Sequence, residues 1–365
     1  KGSLVETRPD NLVAYVIQKA LERLPELAPE EIEDVMCGCA VASAEQGFNL
    51  ARAVSILAGL RAPGTTVNRY CSSSLQTTRM AAHAIKAGEG DVFVSAGVES
   101  ISRYQQGSPD YRNPRLMRGN AEGLADYYIS MGETAENVAE REGISREEMD
   151  RYACLSQARA EAARASGHFE GEIVSIPLPG GGTFAADECP RPGTTMEVLA
   201  TLKPAFRENG NVTAGNSCPF SDGAAAVVVM SDRRARELGI RPLARIVSTA
   251  VSALEPEYMG LGPIEASKHA LRLAGMTIED VDTVELNEAF AAQVIPSARG
   301  LGMDPFSDKL NPFGGAIAFG HPYGMTGARI TATLLNGLAA RNQTVGLETM
   351  CVGGGQGMAM IVERI

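Results

Sequence analysis

Three reactive side chains in this sequence each stand in a run of small residues. They are Cys71 in Val-Asn-Arg-Tyr-Cys-Ser-Ser-Ser-Leu-Gln, His321 in Gly-Gly-Ala-Ile-Ala-Phe-Gly-His-Pro, and Cys351 in Cys-Val-Gly-Gly-Gly-Gln-Gly. A thiol nucleophile, a base to take its proton and a second acid/base are the parts of acyl transfer through a thioester. The glycines let backbone N–H groups approach a bound carbonyl that a side chain would block. Each residue also has a plainer alternative. Cys71 can be a buried structural cysteine, the reading given to Cys37, Cys39 and Cys154. His321 can simply form a turn, Gly353 to Gly355 can make a tight bend, and Asn287 in Asn-Glu-Ala-Phe can cap a helix. His83, His168 and His269 fall in helical or exposed settings that suit structural roles.

The elements that must position these residues follow from periodicity. Helices are predicted over residues 10–24, 49–60, 72–87, 146–166, 264–274 and 327–341, and strands over 34–40, 65–68, 90–95, 222–231, 281–286 and 344–352. Cys71 thus stands where a strand gives way to a helix. The positive helix end is expected to favour thiolate, lowering the thiol below its usual value of about 8.5. Ser72, Ser73 and Ser74 are read as caps of that helix. Cys71 to Gly97 spans 26 positions and Thr326 to Gly353 spans 27, so one α/β unit is predicted to occur twice. Residues 100–215 differ in character and read as an inserted loop domain. The predicted division is 1–99 with 216–238, then 100–215, then 239–365.

With 365 residues, 44% hydrophobic content and 39 glycines, the chain has material for two packed cores. A net charge of −11 argues against nucleic acid as a partner, and no apolar run is long enough to span a bilayer. Seven dispersed cysteines fit a reducing compartment rather than a disulfide framework or zinc site, so a cytoplasmic protein is expected. The predominance of Arg over Lys suggests a GC-rich bacterial genome.

Together these segments resemble the thiolase family, over nearly the whole chain. The matching stretches are residues 67–76, 97–102, 131–137, 187–204, 213–216, 222–226, 287–290, 311–329 and 351–357. The resemblance implies a thiolase-like α/β fold, two related layered α-β-α-β-α domains with an inserted loop domain. It implies that Cys71 carries the acyl group and His321 accepts its proton. Asn287 would hold a water that stabilises an enolate with His321, and Cys351 would move protons to the enolate and from CoA. The N–H groups of Cys71 and Gly353 would form a second oxyanion hole. Arg191, Met131, Ser217 and Cys218 are the positions that would face CoA, which is a substrate; no resident cofactor or metal is implied.

The implied activity is degradative: 3-ketoacyl-CoA and CoA give acetyl-CoA and a shortened acyl-CoA, in ping-pong order, within fatty-acid or related beta-oxidation. Glu45-Gln-Gly-Phe-Asn-Leu-Ala-Arg and the Thr-Gly-Ala-Arg after Gly324 favour that branch. The alternatives are a biosynthetic acetyl-CoA acetyltransferase and a non-catalytic acyl-CoA-binding scaffold. A homodimer or homotetramer is implied, with room for a beta-oxidation partner subunit. Departures from the pattern are Cys218-Pro219 in place of Ser-Gly, Ser74 in place of Gly, and Ser130 where some members have His. An opening strand of about 20 residues is expected ahead of Lys1, sized by analogy with domain units.

Overall fold

The computed structural model describes residues 2–104 and 112–365; residues 105–111 of the inserted segment lie outside this description. In chain order, the first half contains α1 (Pro9–Leu21), β1 (Asp34–Gly38), α2 (Leu50–Leu57), β2 (Gly64–Val67), α3 (Ser73–Ala87) and β3 (Val92–Glu99). The inserted segment contributes α4 (Met131–Glu142), α5 (Arg146–Ala165), the short β4 (Ile176–Pro177) and β5 (Thr183–Phe184), and α6 (Met196–Ala200). Then come β6 (Gly223–Met230), α7 (Asp232–Leu238), β7 (Ala244–Ala253), α8 (Gly262–Ala274), β8 (Thr283–Leu286) and α9 (Ala291–Gly300). The chain ends with α10 (Ala316–Phe319), α11 (Thr326–Ala340), β9 (Val345–Val352) and β10 (Gln356–Arg364).

Two four-stranded sheets carry the fold, in the orders β2-β1-β3-β6 and β7-β10-β9-β8. β1 runs parallel to β2 and β3, and β6 runs antiparallel to β3. β8 runs parallel to β9, while β10 is antiparallel to both of its neighbours. Apolar side chains on both faces of these strands explain the layering, since each sheet must be covered twice. Leu12, Val13 and Ile17 of α1 and Leu50 and Val54 of α2 cover the outer face of the first sheet. Ala266, Ala270 and Leu271 of α8 and Val294, Ile295 and Ala298 of α9 cover the outer face of the second. α3 and α11 fill the middle, with Leu75 packed against Ile330, Leu334 and Leu338. The result is an α-β-α-β-α stack.

Predicted helices and strands match this frame to within a few residues. β7, β10, α4 and α9 go beyond it. The chain after Gly353 turns through Gly354 and Gly355, both at positive φ, and returns as the nine-residue β10. The glycine run is therefore a turn between antiparallel strands as well as a lining of the site.

Candidate active site

Cys71, Asn287, His321 and Cys351 come from four segments that converge where α3 and α11 begin. Cys71 lies in a 3₁₀ turn, Tyr70–Ser72, just ahead of α3. Asn287 follows β8 directly, His321 lies between α10 and α11, and Cys351 is the penultimate residue of β9. The two central helices meet at their first turns: Ala328 N–H donates to Ser74 Oγ at 2.9 Å. A Cβ on Gly327 would lie 2.3 Å from the Leu75 nitrogen, so this approach requires glycine there. Ser74, which departs from the family's glycine, thus serves as an acceptor between the helices. Tyr70 is held at φ +45°, a strained value for a non-glycine residue, immediately before Cys71.

The three serines after Cys71 do not cap α3. Ser72 Oγ donates to the Arg69 carbonyl at 3.1 Å and Ser73 Oγ to the Tyr70 carbonyl at 2.6 Å. Their hydroxyls brace the preceding turn instead. Asn287 is not a helix cap either, because α9 starts at Ala291. Its side chain turns inward, with Nδ2 3.3 Å from His321 Nε2, and its Oδ1 is buried with no hydrogen bond to the protein.

His321 is fixed on three sides. Its backbone N–H donates to Ser221 Oγ at 2.9 Å, and its ring stands edge-on to Tyr323 with centroids 5.3 Å apart. Its Nδ1 lies 2.6 Å from Thr326 Oγ1, whose hydroxyl donates to the Pro322 carbonyl at 3.0 Å. A threonine hydroxyl has one proton. With that proton given to Pro322, Thr326 accepts from His321 Nδ1–H, which leaves the Nε2 lone pair facing Asn287. That is the tautomer of a base. Thr326 and Ser221 were not singled out from sequence; the available signal was a Thr five residues past the histidine, at the start of a helix.

Comparison with known proteins gives the family of the chain. Residues 1–233 match the thiolase N-terminal domain and residues 240–364 the thiolase C-terminal domain. The chain belongs to the thiolase family. It is 45% identical over 377 residues to a 3-ketoacyl-CoA thiolase of Bacillus subtilis (strain 168), covering all of this chain and 95% of that protein. A 3-ketoacyl-CoA thiolase of Marinomonas sp. (strain MWYL1) is 45% identical over 372 residues, covering 94% of its length. Among solved structures, a Bacillus anthracis acetyl-CoA acetyltransferase superposes with a TM-score of 0.90 at 38% identity, covering all of this chain and 95% of that one.

The electrostatics of the thiolase site correct one expectation. Burial pushes the Cys71 thiol up to about 11, although the N–H groups of Gly353 and of Cys71 itself reach the sulfur and pull the other way. Desolvation of the charged form outweighs the helix end. Burial, helped by the Arg329 charge, lowers His321 to about 3, so its imidazole is neutral. Cys351 is wholly buried and its thiol is pushed well above the ordinary range by desolvation, then by the charges of Cys71 and Cys218. The resting site is therefore a set of neutral thiols beside a neutral base. No group of three His, Cys, Asp or Glu residues among the described residues is placed to hold a metal.

The positions expected to face CoA divide. Arg191 is exposed, its backbone N–H donates to Gln157 Oε1 at 2.9 Å, and its guanidinium has no ion pair among the described residues. Met131 opens α4, capped by Ser130 Oγ, and is half-buried. Ser217 is buried and donates its hydroxyl proton to the Thr213 carbonyl at 2.6 Å, which leaves its oxygen as an acceptor. The Cys218 thiol is raised to about 12, by burial first and then by the charge of Cys71.

Proposed function

We propose that this thiolase cleaves 3-ketoacyl-CoA with CoA, releasing acetyl-CoA and an acyl-CoA two carbons shorter. The observation that carries this is the His321 Nε2 lone pair set beside Asn287, at the meeting point of the segments bearing Cys71 and Cys351. Cys71 Sγ attacks the 3-keto carbon as its proton passes to His321. Because the resting thiol is neutral, transfer accompanies attack rather than preceding it. The alkoxide sits on the N–H groups of Cys71 and Gly353, which already point at the sulfur. Collapse breaks the C2–C3 bond, leaving the acyl group on Cys71 and the acetyl-CoA enolate facing His321 and a water held by Asn287. The Cys351 thiol, kept protonated by burial, protonates the enolate. Its thiolate then takes the proton of incoming CoA, which attacks the acyl-Cys71 thioester, and the departing Cys71 sulfur takes back the proton held by His321. Arg191 supplies the cation for CoA in this acidic protein, with Met131, Ser217 and Cys218 along the rest of the molecule.

The 45% identity to 3-ketoacyl-CoA thiolases supports the degradative direction and a place in beta-oxidation. The acetyltransferase structure at 38% identity favours, as a second reading, condensation of two acetyl-CoA molecules. Turnover with 3-ketoacyl-CoAs of four carbons and longer decides. Activity on the longer substrates and an acyl adduct on Cys71 by mass spectrometry are expected; activity confined to acetoacetyl-CoA selects the second reading, and no adduct removes both in favour of a scaffold. We also propose a homodimer or homotetramer in a bacterial cytoplasm. The bare edge of β2, with exposed Phe48, Ile56 and Leu57 on and beside the α2 helix that packs on it, supports pairing of copies. Among the described residues no helix is long and apolar enough to cross a membrane.

A further inference from the structure

Two buried carboxylates that take no part in this chemistry lie on either side of His321 in the chain's hydrogen bonding. Glu99, the last residue of β3, has no exposed surface. It accepts from the N–H groups of Ala40 at 2.9 Å, Val41 at 3.0 Å and Gly324 at 2.8 Å, and from Gln46 Nε2 at 3.1 Å. The Cys39 thiol adds a longer contact at 3.7 Å. Glu288, 1% exposed, accepts from Tyr152 OH at 2.9 Å, Ser156 Oγ at 2.6 Å, Asn311 Nδ2 at 3.0 Å and the Ile317 N–H at 3.1 Å.

Ile317 stands four residues before His321 and Gly324 three residues after it. One carboxylate therefore grips the near end of the histidine turn and the other its far end. The anchors differ: Glu288 ties the turn to α5 of the inserted segment, and Glu99 ties it to the first half of the chain. Buried carboxylates are costly unless fully hydrogen-bonded, and N–H bonds to a carboxylate are among the stronger ones. A glycine is required at each grip. A Cβ on Gly324 would lie 2.7 Å from Cys39 Cα, and one on Gly315 would lie 2.3 Å from the Glu288 carboxyl carbon.

We propose that Glu99 and Glu288 are positioning residues that clamp the turn from Ile317 to Gly324, so that His321 Nε2 is held against Asn287 and Cys71. This rests on the reading of His321 as the base for Cys71. A charge effect and a positioning effect of Glu99 have opposite signs, because its negative charge opposes formation of the Cys71 thiolate. Removing that charge alone makes Cys71 more reactive; loosening the histidine makes it less so.

The test uses the full chain with Glu99→Gln and Glu288→Gln, measuring thiolysis and the rate at which iodoacetamide alkylates Cys71. For each variant kcat is expected to fall about ten- to hundredfold, the scale of an ångström's misplacement, with the KM for CoA little changed. Cys71 alkylation is expected to slow in both. Ser156→Ala removes one donor and keeps the carboxylate; it should lose about two- to tenfold in kcat, the worth of one hydrogen bond, and serves if a glutamine variant does not fold. Folded glutamine variants with wild-type kcat, or faster alkylation in Glu99→Gln, overturn the clamp. A wild-type protein that turns over while Cys71 resists both alkylation and acylation overturns instead the reading of the site on which the clamp rests.

Discussion

The two halves of the molecule share one plan and differ in what their sheets present to the central helices. Thr78 and Thr331, Val94 and Leu347, and Val98 and Cys351 hold equivalent places, each pair 253 positions apart. In the first half Thr78 Oγ1 meets Ser95 Oγ at 2.8 Å, and in the second Thr331 Oγ1 donates to Glu348 at 2.6 Å. The last strand of the second half, β10, is paired on both sides and its residues 357–362 are buried. Its counterpart β6 pairs with β3. Yet Cys71, Asn287, His321 and Cys351 all lie at the inner ends, around the first turns of α3 and α11. The proposed chemistry is built where the halves meet.

The division of labour can be broken most severely at the cysteines. In the proposed mechanism the first half supplies the nucleophile and the second supplies the proton carriers. Cys71→Ala should abolish thiolysis, by about three orders of magnitude or more, and leave no acyl adduct. Cys351→Ala should also lose steady-state turnover while its Cys71 still accepts an acyl group from a reactive acyl thioester. Mass spectrometry after incubation with acyl-CoA separates the two. If Cys351→Ala fails to acylate, the cysteines do not have distinct jobs.

A second contrast lies in how closely the outer helices approach the sheets. Gly357, opposite Cys351 in β10, would place a Cβ 2.0 Å from the Gly262 carbonyl oxygen at the start of α8. The equivalent place in β6, opposite Val98, is held by Ala224. Gly357→Ala is therefore expected to cost about 3 kcal/mol, since backbone must move to admit the methyl group. Ala224→Gly should cost about 1 kcal/mol, through backbone freedom alone. Denaturant midpoints with an unchanged m-value measure both, and equal losses would show that α8 does not pack more tightly on β10 than α1 does on β6.

What sequence patterning reveals is uneven for physical reasons. α3, α5, α8 and α11 are long and periodic, and β3 and β9 are apolar runs, so their order and the doubled unit were legible. β10 was not, because its buried run follows the glycine turn after the single polar residue Gln356. The candidate reactive residues stood out in the sequence by their small neighbours. Their protonation was not: the helix end near Cys71 is visible in sequence, whereas the burial that overrides it comes from the other half of the chain. Glu99 and Glu288 look like surface acids when read singly. Only the fold shows that each is surrounded by N–H and hydroxyl donors from distant segments.

The remaining contrast concerns two positions facing the central helices. Met36 and Ser95 are neighbours in the first sheet, and Glu285 and Glu348 hold the same places in the second. Both glutamates are buried, and each leaves one oxygen without a hydrogen bond. Desolvation raises Glu285 from 4.5 to about 8, against the opposing pull of Arg329 and with help from the charges of Glu288 and Glu172. Between these values the folded chain holds a proton that the unfolded chain has released. Stability therefore falls as pH rises from about 4.5 to about 8, by up to roughly 1.4 kcal/mol per pH unit for this one group, and levels off above. Glu285→Met, which gives the second half the residue of the first, removes that contribution. Its stability relative to the wild type should be higher at pH 8 than at pH 6. Urea unfolding at the two pH values measures the difference, and parallel pH dependences in the two proteins would mean that Glu285 does not titrate in this window.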